Sequence, residues 1–596
     1  MRIVGIVAAL GLLTTAAAAQ INYTPPAMKL LVLPLTVKSP ADSALTIAVM
    51  DAAREKLGSM ARSRVQVIPK PKLCEALKAS DYPCDVLLDE TQANQLARFL
   101  SVNAYNTGTV ERSGGSLLAR VRIRDIGSSG MAVLFSVSSN PGTALALGEA
   151  IAQRANTVVR AAEQARECND ARQKSQFSKA LDAARKALSI EPNLTAAHLC
   201  VATVYEAQHL PLDSLIAAAQ RATKGDSLNA TAWETIGHNY QQKGDTLKAI
   251  DAFTHELAGE PQNKQLRLGI VQLLMQQKQY ERAKALLDDG LAHNPGDEQM
   301  QATRLRVCVE GELWRCALDG FIDVIKNDST KARDSTVIKS ALGAAQQVSD
   351  TQNLLFFAHL AVKNFPKSAA FWKALGSAFD LKGQKDSAVW AYKESLKLDL
   401  TDVKGSLLVA KAIVEGAIWD TAQANRLKPD TAALHKLRNT FADRIDSAKT
   451  YLAPALSSPD SSDRLSASVF MLTAGSKLAQ AGAYDRAVPW LDQLLKVVAP
   501  RTPADTVGPR QQIRVQASFW YGVSSVGPLF AQYSVMVKSK NCGEAKEVND
   551  WIGRAKEALT LGARVHPPTA NAMLQNLSKL EAIMPQVKKQ FKCKNF

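Results

Sequence analysis

Ala249, Ala283 and Ala317 stand 34 residues apart, and so do Pro261 and Pro295. An internal period of this length marks one supersecondary unit that cannot bury its own apolar face, so neighbouring copies must stack and share a core. Within one period Trp233, Ile236-Gly237, Tyr240, Ala249, Phe253 and Pro261 fall at helical spacings. Trp372, Leu375-Gly376, Phe379, Ala388 and Tyr392 repeat them, with Leu400 in place of the proline. A small residue such as Gly237 admits a partner helix, and large ones such as Trp233 and Phe253 fill the remaining space. Composition agrees, because aromatic residues are only 6% of the chain and alanine is abundant, which suits helices packed closely through small side chains.

These spacings resemble the tetratricopeptide repeat (TPR) at every position. The resemblance implies a mainly α fold, a TPR α-solenoid in which helix pairs form a superhelical array, over residues 166–501. Units are read near 161–194, 196–229, 230–263, 264–297, 298–331, 335–368, 369–402, 429–462 and 468–501. The last keeps Gly475, Leu478, Ala487 and Leu491, with the proline displaced to Pro500, and residues 403–428 break the period. Residues 502–596 read as divergent helices that cap the array, with a long pair over 512–537 and 544–562 and a final helix over 569–591.

The other end differs. Arg2 precedes an apolar run from Ile3 to Leu13 and small residues up to Ala19, which together read as a secretory signal peptide over 1–19 with an Ala-x-Ala cleavage site. That run is too short to span a bilayer core of roughly 30 Å, and no lipid-attachment cysteine follows it. The mature chain is expected to begin near Gln20 and to be periplasmic or secreted.

Residues 20–142 read as a small α/β domain, followed by a connecting helix over 143–165. Strands are expected at 29–37, 65–68, 104–112, 117–126 and 131–136, with helices at 44–60 and 91–100 and a hairpin turn at Ser113-Gly114-Gly115-Ser116. Leu117, Ala119, Val121 and Ile123 share one face of their strand, and Arg120, Arg122 and Arg124 share the other, because side chains alternate. The arginine face is expected to meet solvent or an acidic partner. The segment order, with Pro34, Gly108 and Asp125, resembles the TolB N-terminal-like domain over about 28–165. That resemblance implies a non-catalytic fold with a general envelope-interaction role.

Eight cysteines in an exported chain, with no C-x-x-C spacing, point to structural disulfides. They fall into four sequence-local pairs, Cys74 with Cys84, Cys168 with Cys200, Cys308 with Cys316 and Cys542 with Cys593, although sequence alone leaves connectivity open. There is no G-x-G-x-x-G, no Walker A loop, no H-E-x-x-H and no G-x-S-x-G. None of the eight histidines has another at i+3 or i+4. No catalytic residue, cofactor or metal is therefore expected.

The expected function is that of an exported adaptor or scaffold that binds proteins or peptides through the concave face of its array. If Trp233, Gly237 and Tyr240 face the partner helix, then Glu234, His238 and Gln241, about 100° further round, face the groove. The same offset selects Leu268, Gln272, Met275 and Arg306, and later Lys373, Ser377 and Asp380. The expected ligand is a peptide held by apolar contact near Leu268 and Met275, with Arg306 and Lys373 pairing its acidic residues. A net charge of +16 would point to nucleic acid in a cytosolic protein, but export removes that partner. Peripheral contact with anionic envelope polymer or lipid headgroups is the alternative. An enzyme whose site leaves no local motif is the third reading.

Overall fold

The computed structural model describes residues 28–593 except 62, 127–129, 141 and 501–506. The expected signal peptide and cleavage site lie outside the described residues. The chain divides into two compact units, Met1–Val307 and Cys308–Phe596. The fold is mainly α, with one small mixed sheet.

In the first unit the sheet is built from β1 (Met28–Leu31), β2 (Thr36–Val37), β3 (Val65–Val67), β4 (Ala104–Ser113), β5 (Ser116–Asp125) and β6 (Val133–Ser139). Its order is β3-β1-β4-β5-β6, with β2 beside β4. β1 runs parallel to β3 and β4, and β4, β5 and β6 form an antiparallel meander. On one face lie α1 (Ser43–Met60) and, further along the chain, the helix Ala144–Gln173, which bury Val49, Met50, Leu57, Ile151 and Val158 against Leu117, Ala119, Val121 and Ile123. On the other, α2 (Lys70–Lys78) and α3 (Glu90–Phe99) bury Leu73, Leu77 and Leu96 with Leu31 and Tyr105.

The single strand expected over 29–37 is two, separated at Pro34, which has no N–H for a ladder. The buried Asn106 side chain replaces the missing ladder: Leu33 N–H donates to its Oδ1 at 2.8 Å, and its Nδ2 donates to the Leu33 carbonyl at 3.0 Å. The last strand begins at Val133 and not at Met131, because the N–H groups of Gly130 and Met131 go to the Asp125 carboxylate at 3.1 and 3.0 Å.

The helix Ala144–Gln173, α4, covers the segment expected to connect sheet and repeats and runs on into the first repeat. The paired helices that follow are α5 (Phe177–Ile190), α6 (Thr195–Ala207), α7 (Leu212–Gly225), α8 (Ala230–Gln242), α9 (Thr246–Gly259), α10 (Lys264–Gln276), α11 (Tyr280–His293) and α12 (Glu298–Glu310). Asn229, Asp245 and Asn263 cap α8, α9 and α10 by accepting from backbone N–H groups, which satisfies donors that a helix start leaves orphaned. At Gly237 a Cβ would stand 2.5 Å from the Phe253 ring, so the close approach of α8 and α9 requires glycine there.

Trp233 and Trp372, expected to be buried between paired helices, are half-buried. Each indole N–H donates to a carbonyl of the preceding turn, Ser227 and Pro366 respectively, both at 2.8 Å. An indole carries a donor that needs an acceptor, and here the turn carbonyl supplies it, so the ring sits where one edge meets the turn. Trp233 stacks on His255, and Trp372 meets Trp390 edge-on.

The second unit holds α13 (Trp314–Asn327), α14 (Ser335–Gln347), α15 (Thr351–Asn364), α16 (Ala369–Leu381), α17 (Lys385–Leu398), α18 (Val403–Gly416), α19 (Thr421–Arg426), α20 (Thr431–Asp446), α21 (Lys449–Leu456), α22 (Ser461–Gln480) and α23 (Tyr484–Val497). The period breaks within 403–428 because α18, which packs on α17 and buries Leu407, Val409, Ala410 and Ile413, takes α21 and α22 as its further partners, with α19 and α20 intervening in sequence. Lys477 of α22 caps the end of α18, donating to the carbonyls of Val414 and Ala417, each at 2.8 Å. Last come α24 (Gly508–Ser539), α25 (Cys542–Gly562) and α26 (Pro567–Phe591), which share a core of Phe519, Val548, Ile552, Leu577 and Leu580.

The sulfurs of all four sequence-local cysteine pairs stand at bonding distance, with Cα separations of 4.7, 6.4, 5.7 and 5.6 Å in chain order. No helix among the described residues is long and apolar enough to cross a membrane.

Candidate partner-binding groove

α8 and α10 flank a cleft of about 480 Å³. Glu234, His238 and Gln241 line it from α8, and Gly269, Gln272, Leu273 and Gln276 line it from α10. Phe253 and Glu256 of α9 reach it from behind. Four of the residues selected by register, Glu234, His238, Gln241 and Gln272, thus share one cleft, and all four are exposed. His238 Nε2 lies 3.9 Å from Glu234, and its ring meets Phe253 edge-on.

Leu268 and Met275 do not line this cleft. They are half-buried, and Met275 Sδ accepts from Arg306 Nη2 of α12 at 4.0 Å. Met275 and Arg306 thus meet each other, and Leu268 packs with Met275 against the core of α9 to α12.

Lys373, Ser377 and Asp380 lie on α16 in the second unit, and their polar groups are engaged there. Lys373 is ion-paired with Asp402. Ser377 Oγ accepts from the Tyr392 hydroxyl at 3.2 Å. Asp380 pairs with Lys385 and, at 2.6 Å, with Lys411, and both lysines also bind Glu415. Burial opposes ionisation of Asp380, but the hydrogen bonds from Lys385 and Lys411 outweigh it and hold the carboxyl below its ordinary range. The pairing of Lys373 with a ligand acid, expected from the sequence, thus meets an internal competitor in Asp402.

Sequence reasoning missed Glu256. It interrupts the buried stripe of α9 formed by Ala249, Ala252, Phe253 and Leu257, and that interruption was the available signal. Its Oε2 is buried without a hydrogen-bond partner among the described residues. Burial first, then the charges of Glu234 and Glu260, push its pKa up to about 7.

Among the described residues no cluster of three or more His, Cys, Asp or Glu is arranged to hold a metal ion.

The family model of the tetratricopeptide repeat matches residues 240–306, the segment that forms α9 to α11 and their flanks. The chain carries tetratricopeptide repeats there, and this helix-pair fold is a scaffold for protein–protein interaction. No curated protein matches the chain. Among solved structures, that of Naa15/Naa10 bound to HypK-THB is 14% identical, with 70% of this chain and 68% of that chain covered and a TM-score of 0.30. A tetratricopeptide repeat protein from Parabacteroides merdae is 16% identical over 42% of this chain and 98% of its own, with a TM-score of 0.22. PilF of Pseudomonas aeruginosa is 16% identical over 35% of this chain and 94% of its own, with a TM-score of 0.20.

Proposed function

We propose that the chain is an exported, non-enzymatic scaffold that holds a peptide segment of another protein against the first helices of its repeats. The observation that carries this reading is the cleft between α8 and α10, where polar side chains from two repeats converge over an apolar floor. Protein sites commonly combine a concave apolar surface with a few placed polar groups. Export is supported by the leader-like first residues and by cysteines placed in pairs, as suits an oxidising compartment. The TolB N-terminal-like reading of the sheet is supported by the roles of its marker residues. Pro34 separates β1 from β2, Asp125 binds the turn before β6, and a Cβ at Gly108 would stand 1.9 Å from the Arg120 carbonyl.

A photoreactive residue at Gln241 or Gln272 in exported protein should crosslink to a discrete partner, whereas one at the exposed Glu281 of α11, which does not line the cleft, should not. Equal labelling from all three positions would reject the groove.

A second reading, contact with an anionic envelope polymer, is favoured by one feature of the second unit. A cleft of about 780 Å³ among α23, α24 and α25 is lined by Arg514, Arg554 and Arg564, none of which forms an ion pair among the described residues. Salt-sensitive retention on peptidoglycan, lost on neutralising these arginines, would support it.

A further inference from the structure

Glu256 reaches the α8–α10 cleft from α9 with only 8% of its surface exposed, and its Oε2 has no hydrogen-bond partner among the described residues. A buried carboxylate without a donor is costly, and the surrounding groups do not relieve it. α8 presents the acid Glu234 and the imidazole of His238, α9 adds the field of Glu260, and α10 presents the neutral amides of Gln272 and Gln276. The group in shortest supply at this place is a cation. Phe253 and Leu273 form apolar walls beside it, against which a methylene stem packs while its charged end reaches an acid.

We propose that this cleft captures the lysine side chain of a bound peptide segment, its ammonium donating to Glu256, with Glu234 as the second anion at the rim. The inference rests on the groove reading above and specifies its ligand. Lysine is favoured over arginine because a carboxylate only 8% exposed suits a compact charge with rotatable donors, whereas the guanidinium fork is best met by two acceptors in a plane. The chain's net charge of +16 repels a basic segment at long range, so affinity has to come from this local pair of acids. Ionisation of Glu256, opposed by burial and by Glu234 and Glu260, makes capture strengthen through neutrality.

The test uses the full chain and a fluorescent hexapeptide, acetyl-(Ala-Lys)3-amide, with norleucine replacing lysine in a matched control. Between pH 6 and pH 8 the affinity of the wild type for the lysine peptide should rise about tenfold as Glu256 ionises. Glu256→Gln should weaken binding at pH 8 by about tenfold or more and flatten that pH profile, with unfolding temperature unchanged or raised. Equal binding of the norleucine peptide, or undiminished binding by Glu256→Gln, would overturn the inference. In that event, continued crosslinking from Gln241 and Gln272 would leave the groove standing with a different ligand. Loss of crosslinking alongside intact lysine binding would instead remove the groove's proposed role in partner capture.

Discussion

Arg122 of β5 donates from Nε to Asp226, at the end of α7, over 2.9 Å, and both side chains are buried although 104 positions separate them. The same guanidinium donates to the Leu228 carbonyl and pairs with Glu90 at 3.2 Å. The sheet and the repeats of the first unit are therefore joined by a desolvated ion pair. Breaking such a pair from one side leaves an uncompensated charge, so Arg122→Ala should cost about 3–5 kcal/mol in chemical denaturation. Replacing both partners together with apolar residues of similar volume should cost far less. Equal losses in the single and double variants would mean that volume matters and not charge.

Two glycines of the second unit should respond to alanine with opposite signs. At Gly376 the new Cβ would stand 2.4 Å from the Tyr392 ring, and overpacking of this kind costs about 1–3 kcal/mol. Gly343, in α14, is exposed with nothing within 4 Å, so Gly343→Ala should stabilise by up to about 1 kcal/mol through helix propensity. Thermal unfolding of both variants checks the pair.

Trp372 should lose little more than its hydrogen bond on conversion to phenylalanine. Trp372→Phe removes the donor to the Pro366 carbonyl and should cost about 1 kcal/mol. Trp372→Ala should fall below the roughly 3–5 kcal/mol of a fully buried tryptophan, because the ring is half-buried.

Glu256 also sets a pH dependence of stability. Its pKa in the folded chain, about 7, lies above the ordinary value of 4.5, so the folded state holds its proton more tightly. Its stabilising contribution is complete below pH 4.5 and is lost as pH rises through about 7. Glu256→Gln should remove that slope and exceed the wild type at pH 8 by about 1–3 kcal/mol. Identical pH profiles of unfolding for the two proteins would show that the carboxyl ionises without penalty.

Of the disulfides, the bond from Cys542 to Cys593 closes a segment of 51 residues and that from Cys308 to Cys316 one of 8. In the chain-entropy view they contribute about 4 and about 2.5 kcal/mol. Cys542→Ser/Cys593→Ser should therefore destabilise more than the corresponding pair change at 308 and 316. Non-reducing peptide mapping establishes the connectivity on which the comparison depends.

What could be read in the sequence was whatever recurs locally. Leu117, Ala119, Val121 and Ile123 alternate, and all four are buried. Gly237 and Phe253 stand at their signature spacing and meet. What escaped the reading depends on neighbours distant in sequence. Arg120, Arg122 and Arg124 look equivalent along one strand face, yet only Arg120 is exposed, because Asp226 and Glu90 arrive from other elements. Lys373 offered no sign of Asp402, nor Asp380 of Lys411, since ion pairs between successive repeats have no fixed spacing. Glu256 resembled any glutamate of a helix until α8 and α10 enclosed it.

The pairing of α18 with α21 bears on how the second unit assembles in time. Repeat arrays fold by propagation, each helix docking on one just made, and such local closure is fast. At α18 this relay has no immediate successor, because the matching surface on α21 emerges only after α19 and α20. The buried face of α18 must wait through a longer loop closure, with Lys477 on α22 completing its end later still. The expected outcome is that the second unit opens as two cooperative blocks, with a hydrogen-exchange experiment finding an abrupt change of protection at α18.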